Sequence, residues 1–83
     1  MEIKNLVNEI TSFCFEYKLF SETVKAREIK EKIEGQLEDS EFIESLINTI
    51  IVKTKNRKNI DTEKLKELLL ELEKVRLELE YKE

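Results

Sequence analysis

Histidine and proline are absent from this sequence of 83 residues, and glycine and cysteine occur once each. Without histidine there is no imidazole to act as a general base beside a nucleophile or as a metal ligand. A single cysteine excludes a zinc site built from CxxC pairs, as well as an internal disulfide. A single glycine excludes the phosphate-binding loops GxxxxGK[ST] and GxGxxG. These absences predict a protein that is not an enzyme and that binds no cofactor or metal.

Long apolar runs are also absent. No run approaches the roughly 18 residues that a membrane-spanning helix needs, and the starting residues MEIK are not followed by the apolar core of a signal peptide. The lone Cys14 fits a reducing compartment. The sequence therefore predicts a cytoplasmic location.

What the chain does contain is charged and hydrophobic side chains, at 41% and 40% of residues. This balance is too apolar for a disordered chain and too charged for a membrane protein. The net charge of −4 favours solubility and disfavours unspecific nucleic-acid binding. Because turn-forming residues are scarce, we predict long helices joined by short connections in one domain spanning residues 1–83.

The segment SFCFEYKLF, residues 12–20, fits two patterns. Its apolar residues alternate as in a half-buried strand, but they also follow the spacing of one helix face. The helical spacing continues back to Ile3, and a strand beginning at Ser12 cannot explain the apolar pattern of residues 3–10. We therefore predict a helix whose main stripe includes Cys14 as a core residue and leaves Phe15 and Leu19 on the opposite side.

A break is predicted near residues 20–22, because the next apolar set lies on the opposite face if the helix continues. Ser21 is a candidate N-cap for the second helix, and Gly35 a candidate left-handed residue at its end. The apolar set of this helix is Ala26, Ile29, Ile33 and Leu37. The alternative is one long helix in which the first two merge.

A third helix is predicted after Asp39 or Ser40, either of which can serve as its cap. Its apolar stripe is wide, so we expect it to be the most buried helix. Asn56 or Asn59 is expected to supply a left-handed residue after its end. The stripe comprises Phe42, Ile43, Leu46, Ile47, Ile50, Ile51 and Thr54.

The fourth helix is predicted to begin after Asp61, its cap, and to run close to the end of the chain. Its main stripe comprises Leu65, Leu68, Leu69, Leu72, Val75 and Leu79, and its far side carries a second row, Leu70, Leu77 and Tyr81. Together the four segments predict an all-α, small up-and-down helical bundle of four helices, or of three if the first two merge.

Two surfaces are candidates for function. Apolar residues outside the core stripes often mark a protein interface, and here they are Phe15, Leu19, Leu70, Leu77 and Tyr81. We predict that they dock a protein partner or a second copy in a homodimer. The basic cluster comprises Lys53, Lys55, Arg57 and Lys58. It is expected to steer a charged partner, to neutralise the carbonyl end of the third helix or, alternatively, to contact nucleic acid or an anionic surface.

The segment FIESLINTIIVKTKNRKNIDTEKLKELLLEL, from Phe42 to Leu72, resembles the last two helices of bacteriocin-immunity proteins. In that family an apolar helix ends in a turn of asparagine and basic residues, and a polar-capped helix follows. The resemblance covers about a third of the chain, and the first half does not follow the pattern. It implies a helical bundle that acts by binding protein.

Overall fold

The computed structural model describes residues 2–21 and 23–81. This part of the chain forms four α-helices and no strand: α1 (Ile3–Glu16), α2 (Ala26–Glu34), α3 (Ser40–Thr54) and α4 (Thr62–Tyr81). α1 packs on α2, α3 packs on α4, and contacts of α1 with α4 join the two pairs. The all-α bundle of four helices is confirmed. The merged first helix is wrong, because the chain leaves helical geometry between α1 and α2.

The core is centred on α1, which supplies six buried residues against four from α3. The reason is that α1 packs against both α2 and α4, whereas one side of α3 faces solvent. The expectation that the third helix is the most buried is therefore wrong, and Ile51 of its predicted stripe is 45% exposed. The buried apolar side chains are Leu6, Val7, Ile10, Phe13, Cys14, Leu19, Ile29, Ile33, Ile43, Leu46, Ile50, Leu68 and Leu72.

α1 ends in a Schellman motif whose left-handed residue is Lys18, at φ 52°. The Leu19 amide donates to the Cys14 carbonyl at 3.0 Å, and the Lys18 amide donates to the Phe15 carbonyl at 3.2 Å. This reversal carries Leu19 back beneath the helix end, where it is only 1% exposed. The predicted placement of Leu19 on the surface is wrong, because it assumed that the helix continues through Lys18.

The connection between α1 and α2 contains the predicted break at residues 20–22, although Glu22 lies outside the described residues. Ser21 does not cap α2. Its Oγ lies 2.9 Å from Thr23 Oγ1 and accepts from the Thr23 amide at 3.3 Å, which closes a local turn. α2 instead begins after Lys25, which makes no side-chain capping bond.

Gly35 stands at the end of α2 as predicted, but with right-handed geometry at φ −71° and ψ −12°. Within residues 2–21 and 23–81, Lys18 is the only residue with positive φ. The left-handed conformations predicted for Gly35 and for Asn56 or Asn59 are therefore wrong. The chain leaves α2 through a right-handed turn, in which the Gln36 amide donates to the Ile33 carbonyl at 3.1 Å.

The caps of α3 and α4 are confirmed. The Asp39 carboxylate accepts from the amides of Glu41 and Phe42 at 3.0 and 3.3 Å. Asp61 Oδ1 accepts from the Lys64 amide at 3.0 Å. Each aspartate satisfies amides that have no partner within the helix, so these starts follow from local sequence alone.

Candidate partner-binding groove

An apolar cavity of about 320 Å³ lies between α2 and α3. It opens there because α2 packs on α1 and α3 packs on α4, which leaves a seam between the two helix pairs. Its apolar lining consists of Phe20, Val24, Ile29, Ile33, Phe42 and Leu46, and its polar lining of Glu28, Lys32, Ser45 and Thr49.

Helical spacing explains the lining of this cavity. Ile29 and Ile33 are one turn apart on α2, so their side chains follow one another along the same face. Phe42 and Leu46 have the same spacing on α3. The small side chain of Ser45 stands beside them and leaves room for an occupant.

A second cavity, of about 210 Å³, continues the first toward the end of α1. The two share the lining residues Phe20, Val24 and Ile29, and the second extends to Phe15 and Lys18. Phe15 is 50% exposed, so its predicted position on the surface is confirmed and its ring forms an edge of the cavity.

A third, shallower cavity of about 440 Å³ lies on the outer side of α3 and shares Ser45 and Thr49 with the first. Its other lining residues are Glu41, Glu44, Asn48, Val52 and Lys53. This third cavity is lined by α3 alone, so we call only the first two cavities the α2–α3 groove. None of them is lined by a residue of α4.

Charged side chains of both signs line each of the three cavities. Glu41 and Glu44 stand in the first turns of α3, whereas Lys53 stands in its last turn. Glu41 and Lys53 are separated by roughly 18 Å at 1.5 Å per residue. Lys18 lies at the same end as Lys53, because Arg57, just beyond α3, bonds to the neighbouring residue Tyr17. Glu16 lines the second cavity beside Lys18, so both signs of charge occur at this end.

The predicted partner-binding residues do not form one site. Leu19 is in the core, and Phe15 borders the groove. The second row of α4 is exposed, at 58% for Leu70, 38% for Leu77 and 85% for Tyr81, and belongs to a different surface. The sequence did not indicate the groove, since its two walls come from helices that are paired with other partners.

The basic cluster contains one residue with a structural contact. The Arg57 guanidinium donates to the backbone carbonyl of Tyr17, and the amide of Asp61 donates to the Tyr17 hydroxyl at 3.1 Å. These bonds hold the connection between α3 and α4 against the end of α1. The remaining members of the cluster, Lys53, Lys55 and Lys58, are exposed.

Ion pairs account for much of the charge on α4. Arg76 bonds to Glu73 and, at 2.8 Å, to Glu80, and the hydrogen bond from Arg76 lowers the pKa of Glu73. Lys64 reaches Glu9 of α1 at 2.7 Å, and this hydrogen bond raises the pKa of Lys64. The ion pairs of Arg76 stabilise α4 itself, and the pair between Lys64 and Glu9 joins α4 to α1.

Cys14 is buried at 1% exposure, and desolvation by burial raises the pKa of its thiol to about 12. Its predicted position in the core is confirmed. The described side chains include no group of three or more acidic, cysteine or histidine residues placed to hold a metal ion. No helix in residues 2–21 and 23–81 has the length and apolar character to span a bilayer.

Comparison with known proteins gives no match to a family model, to a curated protein or to a solved structure. The resemblance of residues 42–72 to bacteriocin-immunity proteins thus rests on the sequence pattern of that segment.

Proposed function

We propose that this protein is a non-enzymatic, cytoplasmic helical module, an adaptor, inhibitor or regulator, that binds another protein through the α2–α3 groove. The observation that carries the proposal is the apolar cavity of about 320 Å³ that remains open between two packed helix pairs. A cavity of this size with an apolar lining and a few polar groups is typical of a ligand site, and apolar surface left uncovered on a small protein also marks protein interfaces. The buried free thiol of Cys14 fits the proposed compartment.

Binding energy would come from apolar side chains of the partner that enter the groove. Each leucine or phenylalanine that becomes fully buried contributes about 1.5–3 kcal/mol. Phe15 would add contact area at the edge, and the exposed lysines beyond α3 would raise the rate of encounter with an acidic partner.

Affinity capture from lysate of the source organism tests this proposal with a matched pair of variants. Ser45→Arg places a long side chain in the groove, whereas Ser12→Arg makes the same change on the exposed face of α1. We expect the wild type and Ser12→Arg to retain the same protein and Ser45→Arg to lose it. Retention by Ser45→Arg would refute binding at the groove.

The exposed second row of α4 favours a second candidate, self-assembly through this helix. A homodimer would bury Leu70, Leu77 and Tyr81 against a second copy. Light scattering after gel filtration at micromolar concentration measures the mass. Under this candidate a dimer is expected, and the double variant Leu70→Asp, Leu77→Asp should be monomeric. A dimer that persists in that variant would exclude this face.

The alternative of a nucleic-acid or anionic-surface binder is supported by the exposed Lys53, Lys55 and Lys58. It is opposed by the net charge of −4 and by the structural contact of Arg57. A gel shift at low salt that disappears when the cluster is changed to alanine would support it, and the absence of any shift would exclude it.

A further inference from the structure

We propose that residues 35–39 are a hinge through which two copies of this chain exchange their helix pairs. When the hinge becomes helical, α2 and α3 join into one continuous helix, and the α1–α2 pair of each copy packs on the α3–α4 pair of the other. This self-association goes beyond the proposed function and stands without it.

The hinge connects two helix pairs that pack on each other through side-chain contacts. α1 packs on α2 and α3 packs on α4, and the two pairs meet through α1 and α4. The contacts between the pairs include the salt bridge of Lys64 with Glu9 at 2.7 Å and the bond from Arg57 to the Tyr17 carbonyl. These contacts do not require both pairs to belong to one chain, so an exchanged dimer retains them between copies.

The backbone of the hinge is close to helical geometry. Gly35 is right-handed, and every residue of the segment has a negative φ. The amides of Gln36 and Asp39 donate to carbonyls three residues back, at 3.1 and 3.2 Å, as in a tight helical turn. Asp39 itself is extended, at φ −100° and ψ 106°. Straightening therefore rotates an extended residue, and no left-handed residue has to be reversed.

The sequence across the hinge is compatible with one helix. Gln36, Leu37 and Glu38 favour helical structure, and the segment contains no proline. In a continuous helix at 100° per residue, the buried apolar residues of α2 and α3 fall within about 140° of arc and so form one stripe. These residues are Ile29, Ile33, Ile43, Leu46 and Ile50. The joined helix would therefore keep a single apolar face.

Two features hold the hinge in its bent form. The Asp39 carboxylate accepts from the amides of Glu41 and Phe42 at 3.0 and 3.3 Å, and these capping bonds are lost when Asp39 becomes part of a helix. Glu34 and Glu38 would stand one turn apart in the joined helix, where like charges repel. The bent monomer is therefore favoured at low protein concentration, and refolding at high concentration favours exchange.

Cross-linking of isotopically mixed chains tests the exchange. Unlabelled and ¹⁵N-labelled chains are unfolded together in urea, refolded at millimolar concentration, diluted, and treated with a carbodiimide that joins the Lys64 amine to the Glu9 carboxylate as an amide. Mass spectrometry then shows whether the two linked peptides carry the same label or different labels. Different labels mean that α1 of one copy lies on α4 of another. A dimer formed through Leu70 and Leu77 without exchange would give same-label pairs only.

Two substitutions at the hinge should change the exchange in opposite directions. Asp39→Ala removes the cap and should raise the fraction of mixed-label pairs by about fivefold or more. Ser40→Pro should abolish these pairs, because proline suits the first residue of α3 and an extended residue before it, but lacks the amide that a continuous helix needs there. The matched control Asp61→Ala, which removes the cap of α4 outside the hinge, should behave as the wild type.

Same-label pairs alone in both the wild type and Asp39→Ala would overturn the inference. Mixed-label pairs that are equally abundant in Asp39→Ala and Ser40→Pro would overturn it as well. If Asp39→Ala does not fold, the comparison of the wild type with Ser40→Pro carries the test, because proline is compatible with the bent form. Mixed-label pairs in the wild type that are absent from Ser40→Pro would support the exchange.

Discussion

Lys18 holds the left-handed position of the Schellman motif that ends α1, a position that glycine occupies most readily. A side chain with a Cβ costs about 1–2 kcal/mol in this conformation. Glycine removes that cost, but it loses more conformational freedom on folding, and this loss offsets about 0.5–1 kcal/mol of the gain. We therefore expect Lys18→Gly to raise the free energy of unfolding by about 0.5–1 kcal/mol, the difference between these two effects.

The measurement is urea unfolding followed by far-ultraviolet circular dichroism, for the wild type, Lys18→Gly and Lys18→Ala. Both variants remove the charge, so their difference isolates the Cβ. Lys18→Gly should exceed Lys18→Ala in stability by about 0.5–1 kcal/mol, which in a domain of this size corresponds to roughly 2–8 °C in Tm.

Equal stability of the two variants would show that Lys18 does not adopt a left-handed conformation in solution. The Schellman bonds, and with them the burial of Leu19, would then be refuted. A lower stability of Lys18→Gly with an unchanged urea dependence would lead to the same conclusion, because a change in the denatured state would alter that dependence.

Three further predictions follow from packing, hydrogen bonding and burial. Leu19→Ala should lower the free energy of unfolding by about 2–5 kcal/mol, whereas Phe15→Ala should change it by less than about 0.5 kcal/mol. Similar losses in the two variants would contradict the burial of Leu19 and the exposure of Phe15. Arg57→Ala should lower the free energy of unfolding by about 0.5–1.5 kcal/mol, whereas Lys55→Ala should cause no measurable loss. Equal losses in urea unfolding would argue against the bond from Arg57 to the end of α1. The thiol of Cys14, with a folded pKa of about 12 against 9.0, should resist an aromatic disulfide reagent until the protein unfolds. Because the unfolded state loses the thiol proton at a lower pH than the folded state, the free energy of unfolding should fall above pH 9. This fall should be shallower in Cys14→Ala, and an equal dependence on pH in the two proteins would contradict the prediction.

The helix starts and the main core stripes were predictable because they depend on residues within a few positions of one another. Asp39 and Asp61 cap amides two or three residues ahead, and the spacing of apolar residues reports which face is buried. Such interactions are contained in a short window of sequence, so composition and periodicity are sufficient to locate them.

The helix ends were harder to predict, because the residue types that usually mark them are absent where they would be needed. Lys18 adopts the left-handed conformation although lysine is not a turn signal. Gly35 is right-handed, and a Cβ built there would lie 3.4 Å from the Glu31 carbonyl, an ordinary contact. Neither position follows the usual association of glycine with left-handed helix ends.

Contacts between distant parts of the chain were beyond the reach of local patterns. Arg57 bonds to the carbonyl of Tyr17, which is 40 residues away, and nothing in the cluster distinguishes this arginine from its lysine neighbours. The groove is a similar case. Its walls are helices whose main contacts are with other helices, so it arises only when the two pairs are placed together.

The open groove has a cost in stability that supports its role in binding. A bundle of 83 residues buries a limited apolar area and is correspondingly marginal, yet the space between Ile29 and Leu46 is left unfilled beside Ser45. A larger apolar residue at Ser45 would cover this area, so we expect Ser45→Leu to stabilise the free protein. A partner that binds only the folded state would provide the same cover and raise the stability in proportion to the logarithm of its concentration. If the groove were merely a packing defect, Ser45→Leu would stabilise the protein without any loss of partner capture.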